Sequence, residues 1–251
     1  NDFDNLAQAT EAEKNSYEEY FRALGLSFIY MGGPEALNGY FKENPGFKHT
    51  YQAYFRVSDI YLTQQSYSDA VATLDQFNKN YPQSGHLPES TLKIIEIWAA
   101  SGFANNFVLA LDDFYGAYQP RSRYWASQEI RPGLRANVVT SLRNYIVQAS
   151  AHFHKEYQTG KKEPAFAKAK LWYERYLLDY QAYSRKDNMH FLYGELLSQH
   201  GNHADALAHY EYAAYDGDII VNKDAAYASI LMTTKLHQGS SDARLKNDYL
   251  K

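Results

Sequence analysis

TYQAYFRVSDIYLTQQSYSDAVATLDQFNKNYPQS, residues Thr50–Ser84, reads as two short antiparallel helices joined by a tight turn and closed by a proline. In the first helix Tyr54, Val57, Ser58 and Tyr61 fall on one stripe, because residues three and four apart share a helical face. In the second, Ala70, Leu74 and Phe77 form the inner stripe, and Tyr81-Pro82 follows. Gln64-Gln65-Ser66 is the turn. Small Ser58 sits where the neighbouring helix must approach closely, with large residues on both flanks, the arrangement that packs ridges into grooves.

Working outward, the register returns. Leu74-Asp75-Gln76-Phe77 and Tyr81 are echoed by Leu111-Asp112-Asp113-Phe114 and Tyr118, after a first helix carrying Ile94, Ile95 and Trp98 and before Pro120. That copy lies 37 residues on, so it carries a small insertion. Tyr193-Gly194, Leu197, Ala206, Tyr210 and Ala213 repeat the pattern closely, and Ala206 lies 136 residues beyond Ala70, four spans of about 34. Between them Ala169, Tyr173, Tyr176 and Tyr180 form a second-helix stripe, preceded by Ile146, Ala149-Ser150 and Phe153. The turn around Gly160–Pro164 reads as longer than a standard unit. Asp224 to Leu236 begins one more helix, with Tyr227, Ala228 and Met232 on its stripe.

Upstream, Tyr17, Phe21, Leu24 and Phe28 mark an amphipathic helix, and Gly32-Gly33-Pro34 ends it and opens the next at a position where proline is tolerated. Ala36, Tyr40 and Phe41 read as its inward residues, up to Asn44-Pro45-Gly46. The stretch Pro120–Arg135 interrupts helical periodicity with two prolines and a glycine. It reads as a bent connection between two halves of one array, or as a short extra helix. The sequence therefore predicts a capping hairpin over 1–49, with a polar start to about Thr10, and repeats over 50–120. An irregular connection over 121–135, serving as hinge or binding loop, leads to further repeats over 136–238. A cap or tail covers 239–251. The fold class is all-α, a right-handed α-solenoid of helical hairpins.

Composition narrows the function classes. Net charge is −4 and the basic residues do not gather in one patch, which argues against nucleic acid. No window holds about 20 apolar residues, so no transmembrane segment is expected. Absence of cysteine removes disulfides, thiolate catalysis and Cys-ligated zinc. The 24 tyrosines suit a thin layered structure, since Tyr buries its ring while its hydroxyl stays wet. A start at Asn1 fits a processed envelope protein or a lipoprotein cut after its lipidated Cys, which would add a peripheral or lipid-anchored membrane association. A trimmed cytoplasmic protein fits it too.

The aromatic–aliphatic–small–aromatic spacing of Tyr54, Val57, Ser58 and Tyr61, followed by Ala70, Leu74 and Pro82, resembles the tetratricopeptide repeat. Phe77 departs from it, since a small residue is usual there. The phrase from Tyr54 to Tyr81-Pro82 is similar to envelope members such as the Tol–Pal-associated periplasmic protein and the outer-membrane assembly lipoprotein. Tyr210-Glu-Tyr-Ala-Ala-Tyr215-Asp followed by Asp224-Ala-Ala-Tyr227-Ala resembles gliding-motility and envelope tetratricopeptide proteins. The resemblance implies a non-catalytic scaffold in the bacterial periplasm or at the outer-membrane periphery, gripping a partner segment in the groove lined by the first helix of each pair.

It also implies which positions face that groove. Counted from Tyr51 they are Gln52, Phe55, Asp59, Leu62 and Thr63; from Pro88, Glu89, Leu92, Glu96, Ala99 and Ala100; from Asp187, Asn188, Phe191, Glu195, Ser198 and Gln199. An acid recurs at Asp59, Glu96 and Glu195, and an apolar residue at Phe55, Leu92 and Phe191. That pairing suits a protein or peptide with basic and hydrophobic side chains. The plainer reading is that these acids solubilise an exposed helix face. Arg121, Arg123, Arg131 and Arg135 beside Tyr124-Trp125 suit an acidic partner or a glycan, or are a charged loop. A carbohydrate- or peptidoglycan-binding module using Trp125, or a self-assembling structural subunit, is the alternative function.

Catalytic and metal signatures are missing. His200 and His203 stand at i and i+3 near His190 and His209, yet no carboxylate completes an HExxH arrangement. His152 and His154, two apart, should face different sides of their helix. There is no GxSxG elbow and no phosphate-cradling glycine loop. The sequence thus predicts no enzyme, no catalytic residues, no metal and no cofactor.

Overall fold

The computed structural model describes residues 10–127 and 130–239. The expected polar start and tail, and Gln128-Glu129 within the expected connection, lie outside them. Among the described residues the chain is nearly all helical. Its helices are α1 (Glu11–Tyr30), α2 (Pro34–Glu43), α3 (Thr50–Thr63), α4 (Tyr67–Asn80), α5 (Leu87–Ser101), α6 (Ala104–Tyr118), α7 (Tyr124–Ser127), α8 (Leu134–Gly160), α9 (Glu163–Asp179), α10 (Met189–His200), α11 (His203–Ala214) and α12 (Lys223–Gly239). The chain divides into two compact units, Asn1–Val138 and Val139–Lys251, and the division falls inside α8.

In the first unit α1–α6 pack as successive neighbours. Tyr54, Val57, Ser58, Ala70 and Leu74 are all fully buried, as their stripes predict. Ser58 Oγ donates 2.8 Å to the Ala70 carbonyl, so the residue that lets α3 and α4 approach also spends its hydroxyl inside the contact. Phe77, large where the repeat pattern prefers small, fills the space among the rings of Tyr51, Tyr54 and Tyr81. Two details differ from expectation. Leu37, not Tyr40, is the buried residue of α2 beside Phe41, and Tyr40 is exposed. In α5, Ile97 is fully buried while Trp98 is half-buried. The extra length of this copy lies in the loop 81–86 that links α4 to α5.

One turn chemistry closes three hairpins. Ser66 N–H donates to Tyr61 C=O and Gln65 N–H to Leu62 C=O, the paired bonds that satisfy the last carbonyls of a helix behind a left-handed residue. Gln65 holds φ 60 there. The same two bonds recur at Gly32-Gly33 and at Gly201-Asn202.

In the second unit α8 and α9 pack through Tyr157–Phe166 and His154–Tyr173 contacts. The turn around Gly160 is short. Helix α8 runs for 27 residues to Gly160 and α9 starts at Glu163, so the surplus length sits in the helix. Tyr173, Tyr176, Tyr193 and Tyr210 bury their rings and send their hydroxyls to His154, Asp187, Glu174 and Glu195. A small antiparallel hairpin pairs Tyr215 with Ile220 and Asp216 with Ile219, turning at Gly217 (φ 59). In α12 the buried face is Ala225, Ala226, Ser229 and Met232, whereas the expected Tyr227 is exposed.

Gly194 stands where α10 crosses α11, and a Cβ there would meet the Tyr210 ring at 2.8 Å. Gly39 in α2 has nothing near it. Gly39→Ala should therefore raise stability by up to about 1 kcal/mol through helix propensity, while Gly194→Ala should lower it by about 1–3 kcal/mol through overpacking. Urea unfolding followed by far-UV circular dichroism checks both signs.

Candidate functional site

The first unit holds an open cleft of about 390 Å³ lined by Tyr17, Glu18 and Phe21 of α1, Tyr51, Gln52, Phe55 and Arg56 of α3, and Glu89, Leu92, Lys93 and Glu96 of α5. These are the first helices of three consecutive hairpins. Helical spacing explains the convergence: Gln52, Phe55 and Arg56 occupy one face of α3, while Ala53, Tyr54 and Val57 occupy the buried one. In α5 the same split separates Glu89, Leu92, Lys93 and Glu96 from Ser90, Ile94, Ile95 and Ile97.

The floor is apolar and aromatic. Phe55 packs beside Tyr51, and the Lys93 ammonium lies 5.3 Å from the Phe55 ring centre. Tyr51 stacks on His86 at 4.2 Å between centroids. His86 Nδ1 is 2.9 Å from the Glu89 carboxylate, which Arg131 also engages. Burial pushes the Glu89 carboxyl up, but hydrogen bonds from His86 and Arg131 outweigh it and hold the group below the usual carboxylate range. Burial, reinforced by the Glu89 charge, drives the Tyr51 hydroxyl well above its ordinary value, so the phenol stays protonated at the cleft wall.

The rim is charged and internally paired. Lys93 lies 3.3 Å from Asp59 and 3.5 Å from Glu96, and Arg56 pairs with Glu18 and reaches Asp59 at 4.0 Å. Glu18, Asp59, Glu89 and Glu96 thus face Arg56, Lys93 and Arg131, one carboxylate more than cations. The acids keep part of their surface in water, while the Lys93 and Arg56 side chains are largely buried between them.

The structure brings Gln52, Phe55, Glu89, Leu92 and Glu96 into one cleft. Asp59 joins through Lys93. Leu62 packs elsewhere, against the cluster of Ala70, Val71, Leu74, Ile94 and Ile97. The residues of the second unit do something different. Phe191 packs on Tyr210 and on the alanines Ala213, Ala214, Ala225 and Ala226. Glu195 accepts the Tyr210 hydroxyl at 2.5 Å, and Ser198 Oγ contacts Met232 Sδ at 3.3 Å. Asn188 adopts φ 55 and accepts a bond from Asn222, and Gln199 Oε1 is buried with no partner among the described residues. Helix α12 contributes to the difference, since Met232 meets Ser198 and Ala225 and Ala226 lie against Phe191. Sequence reasoning missed Tyr17, Glu18, Phe21, Arg56 and Lys93. The apolar stripe of α1 and the basic residue one place after each groove-facing Phe55 and Leu92 were the available signals.

The arginine-bearing connection is tied down. Arg131 donates to Gly85 C=O at 3.1 Å and Arg135 to Pro120 C=O at 3.0 Å. The Trp125 indole N–H donates to Gln119 C=O at 3.0 Å, fixing the half-buried ring against Tyr118 and Tyr124. No group of three or more His, Asp and Glu among the described residues is arranged to hold a metal. His200 stacks on Phe166 at 3.6 Å and bonds Glu163 at 3.0 Å. No helix of the described residues is long and apolar enough to cross a membrane. No known protein-family model matches the chain, and no curated protein is detectably similar to it in sequence.

As the spacing predicts, His152 is exposed and His154 buried. Burial, with the Lys161 charge behind it, lowers His154 from 6.5 to about 4. Its native form therefore binds fewer protons than the unfolded chain between those values, and stability falls as pH drops through that window. His154→Gln should flatten the decline in urea midpoint between pH 6.5 and 4 relative to the parent chain.

Proposed function

We propose that this chain is a tetratricopeptide-like, right-handed α-solenoid that serves as a non-catalytic adaptor, holding a partner's peptide segment in the cleft of α1, α3 and α5. One observation carries the reading. Groove-facing residues of three successive first helices meet on one open surface with an aromatic floor and a charged rim. Such a surface offers an apolar anchor pocket flanked by ion pairs, the chemistry that recognises a segment by alternating side chains.

The partner's chemistry follows from the lining. An aromatic or aliphatic side chain seats over Phe55 and Leu92, and a Lys or Arg beside it takes the place of Lys93 between Asp59 and Glu96 or reaches Glu18. The single surplus carboxylate favours a cationic guest and disfavours an acidic one. The resemblance of the repeat phrases to bacterial envelope proteins supports a place in the periplasm or at the outer-membrane periphery.

Selection of short peptides from a displayed random library against the full chain tests the reading. Recovered binders should carry an aromatic or aliphatic residue flanked by Lys or Arg. They should lose at least about tenfold in affinity, or 1.4 kcal/mol, against Phe55→Asp or Leu92→Asp variants whose circular dichroism is unchanged. Binders that ignore both substitutions place the site elsewhere.

A further inference from the structure

Helix α12 has the register of a first helix, and its hairpin-facing side meets no second helix among the described residues. Ala228 lies one span of about 34 residues beyond Gly194, which itself corresponds to Ser58. Tyr227 then matches Tyr193 and Val57, and Leu231 matches Leu197 and Tyr61. In α3 and α10 these positions are covered by the hairpin partner: Val57 and Ser58 are 0% exposed, Tyr193 4% and Leu197 1%. In α12, Tyr227 is 65% exposed, Leu231 43% and neighbouring Ile230 60%. The opposite face of α12 is already spent on α11 and on Ser198 of α10. No helix follows α12 among the described residues.

We propose that this bare face of α12 packs against the same face of a second copy of the chain, antiparallel about a twofold axis. The residues along it carry the argument. Asp224, Ala228, Leu231 and Lys235 follow one another at four- and three-residue steps, and Tyr227 lies three residues after Asp224 and four before Leu231, so the five form a single stripe. The stripe is acidic at its beginning, small and large at its centre, and basic at its end. Asp224 and Lys235 are exposed and form no ion pair among the described residues.

The stripe is self-complementary in only one direction. In an antiparallel pair centred between Ser229 and Ile230, Asp224 of one copy faces Lys235 of the other, and Ala228 faces Leu231. Both matches occur twice, as an isologous contact requires. The small-against-large match repeats the fit that Gly194 makes with the Tyr210 ring inside each copy. A parallel pair would instead set Asp224 against Asp224 and Lys235 against Lys235, which is unfavourable. The cleft of α1, α3 and α5 takes no part, so peptide binding there and self-association here are read out separately.

Analytical ultracentrifugation of the full chain across a concentration series tests the proposal. The expected result is a reversible dimer that Leu231→Glu turns into a monomer with its helicity intact. Asp224→Lys and Lys235→Asp should each weaken the dimer by at least about tenfold, and the two combined should restore it. A chain that is monomeric throughout the series overturns the proposal. So does a dimer indifferent to the single charge changes, or one that the combined exchange fails to rescue. A monomer that dimerises only when shortened after Gly239 also overturns it, because the chain's own end would then be the cover.

Discussion

Two helices joined by a turn of two or three residues can come together only as closely as the side chains at their crossing permit, and this chain solves that constraint with small residues. Ser58 beside Ala70 and Gly194 beside Tyr210 set the spacing of their hairpins. Once the helices are that close, large neighbours such as Leu74, Phe77 and Tyr193 interdigitate with few voids. The left-handed residues that close the turns, Gln65 and Gly201 among them, serve the same end by returning the chain within one step. The outward faces of α1, α3 and α5 are then available to line a shared cleft.

A layered helical array also has a thin core, and the tyrosines answer that problem. Each buried ring supplies apolar area, while its hydroxyl needs a partner or water. Tyr180 reaches the Val139 carbonyl, Tyr193 reaches Glu174 and Tyr210 reaches Glu195. For Tyr193 and Tyr210, burial and a neighbouring carboxylate keep the phenol protonated, so it acts as a donor throughout the ordinary pH range. A phenylalanine would supply the ring and leave the acids without their donors.

Much of the helical pattern was legible because Tyr54, Ser58, Ala70 and Leu74 obey a 3.6-residue period and recur at a fixed span. Boundaries were less so. Lys161 in a left-handed conformation lets α9 follow α8 after two residues, where Gly160 and Pro164 suggested a longer turn. The hairpin at Tyr215–Ile220 had a signal in its Gly217-Asp218 turn, but its strands are two residues each and too short to show alternation. The cleft was half legible. Position counting found Phe55 and Leu92 because orientation follows from the helix alone. It could not find the Lys93 bridge between Asp59 and Glu96, which depends on how far apart α3 and α5 stand. Nor could it tell that Phe191 and Ser198 meet residues of α12, since that depends on where α12 packs.

For the proposed binding role of the cleft, the position of Lys93 matters. A bare acidic groove collects loosely held counterions from solution, and a cationic guest gains by releasing them. Here the counterion is covalently attached, sits over the Phe55 ring and is shared by two carboxylates. A guest that brings its own ammonium or guanidinium therefore performs an exchange, one cation for another, and Lys93 must swing out on its flexible stem to let it in. On the proposed function, the cleft would then behave as an ion exchanger of one tethered charge. It discriminates by how well the incoming group fits the two acids, and weakly by the ionic strength around it.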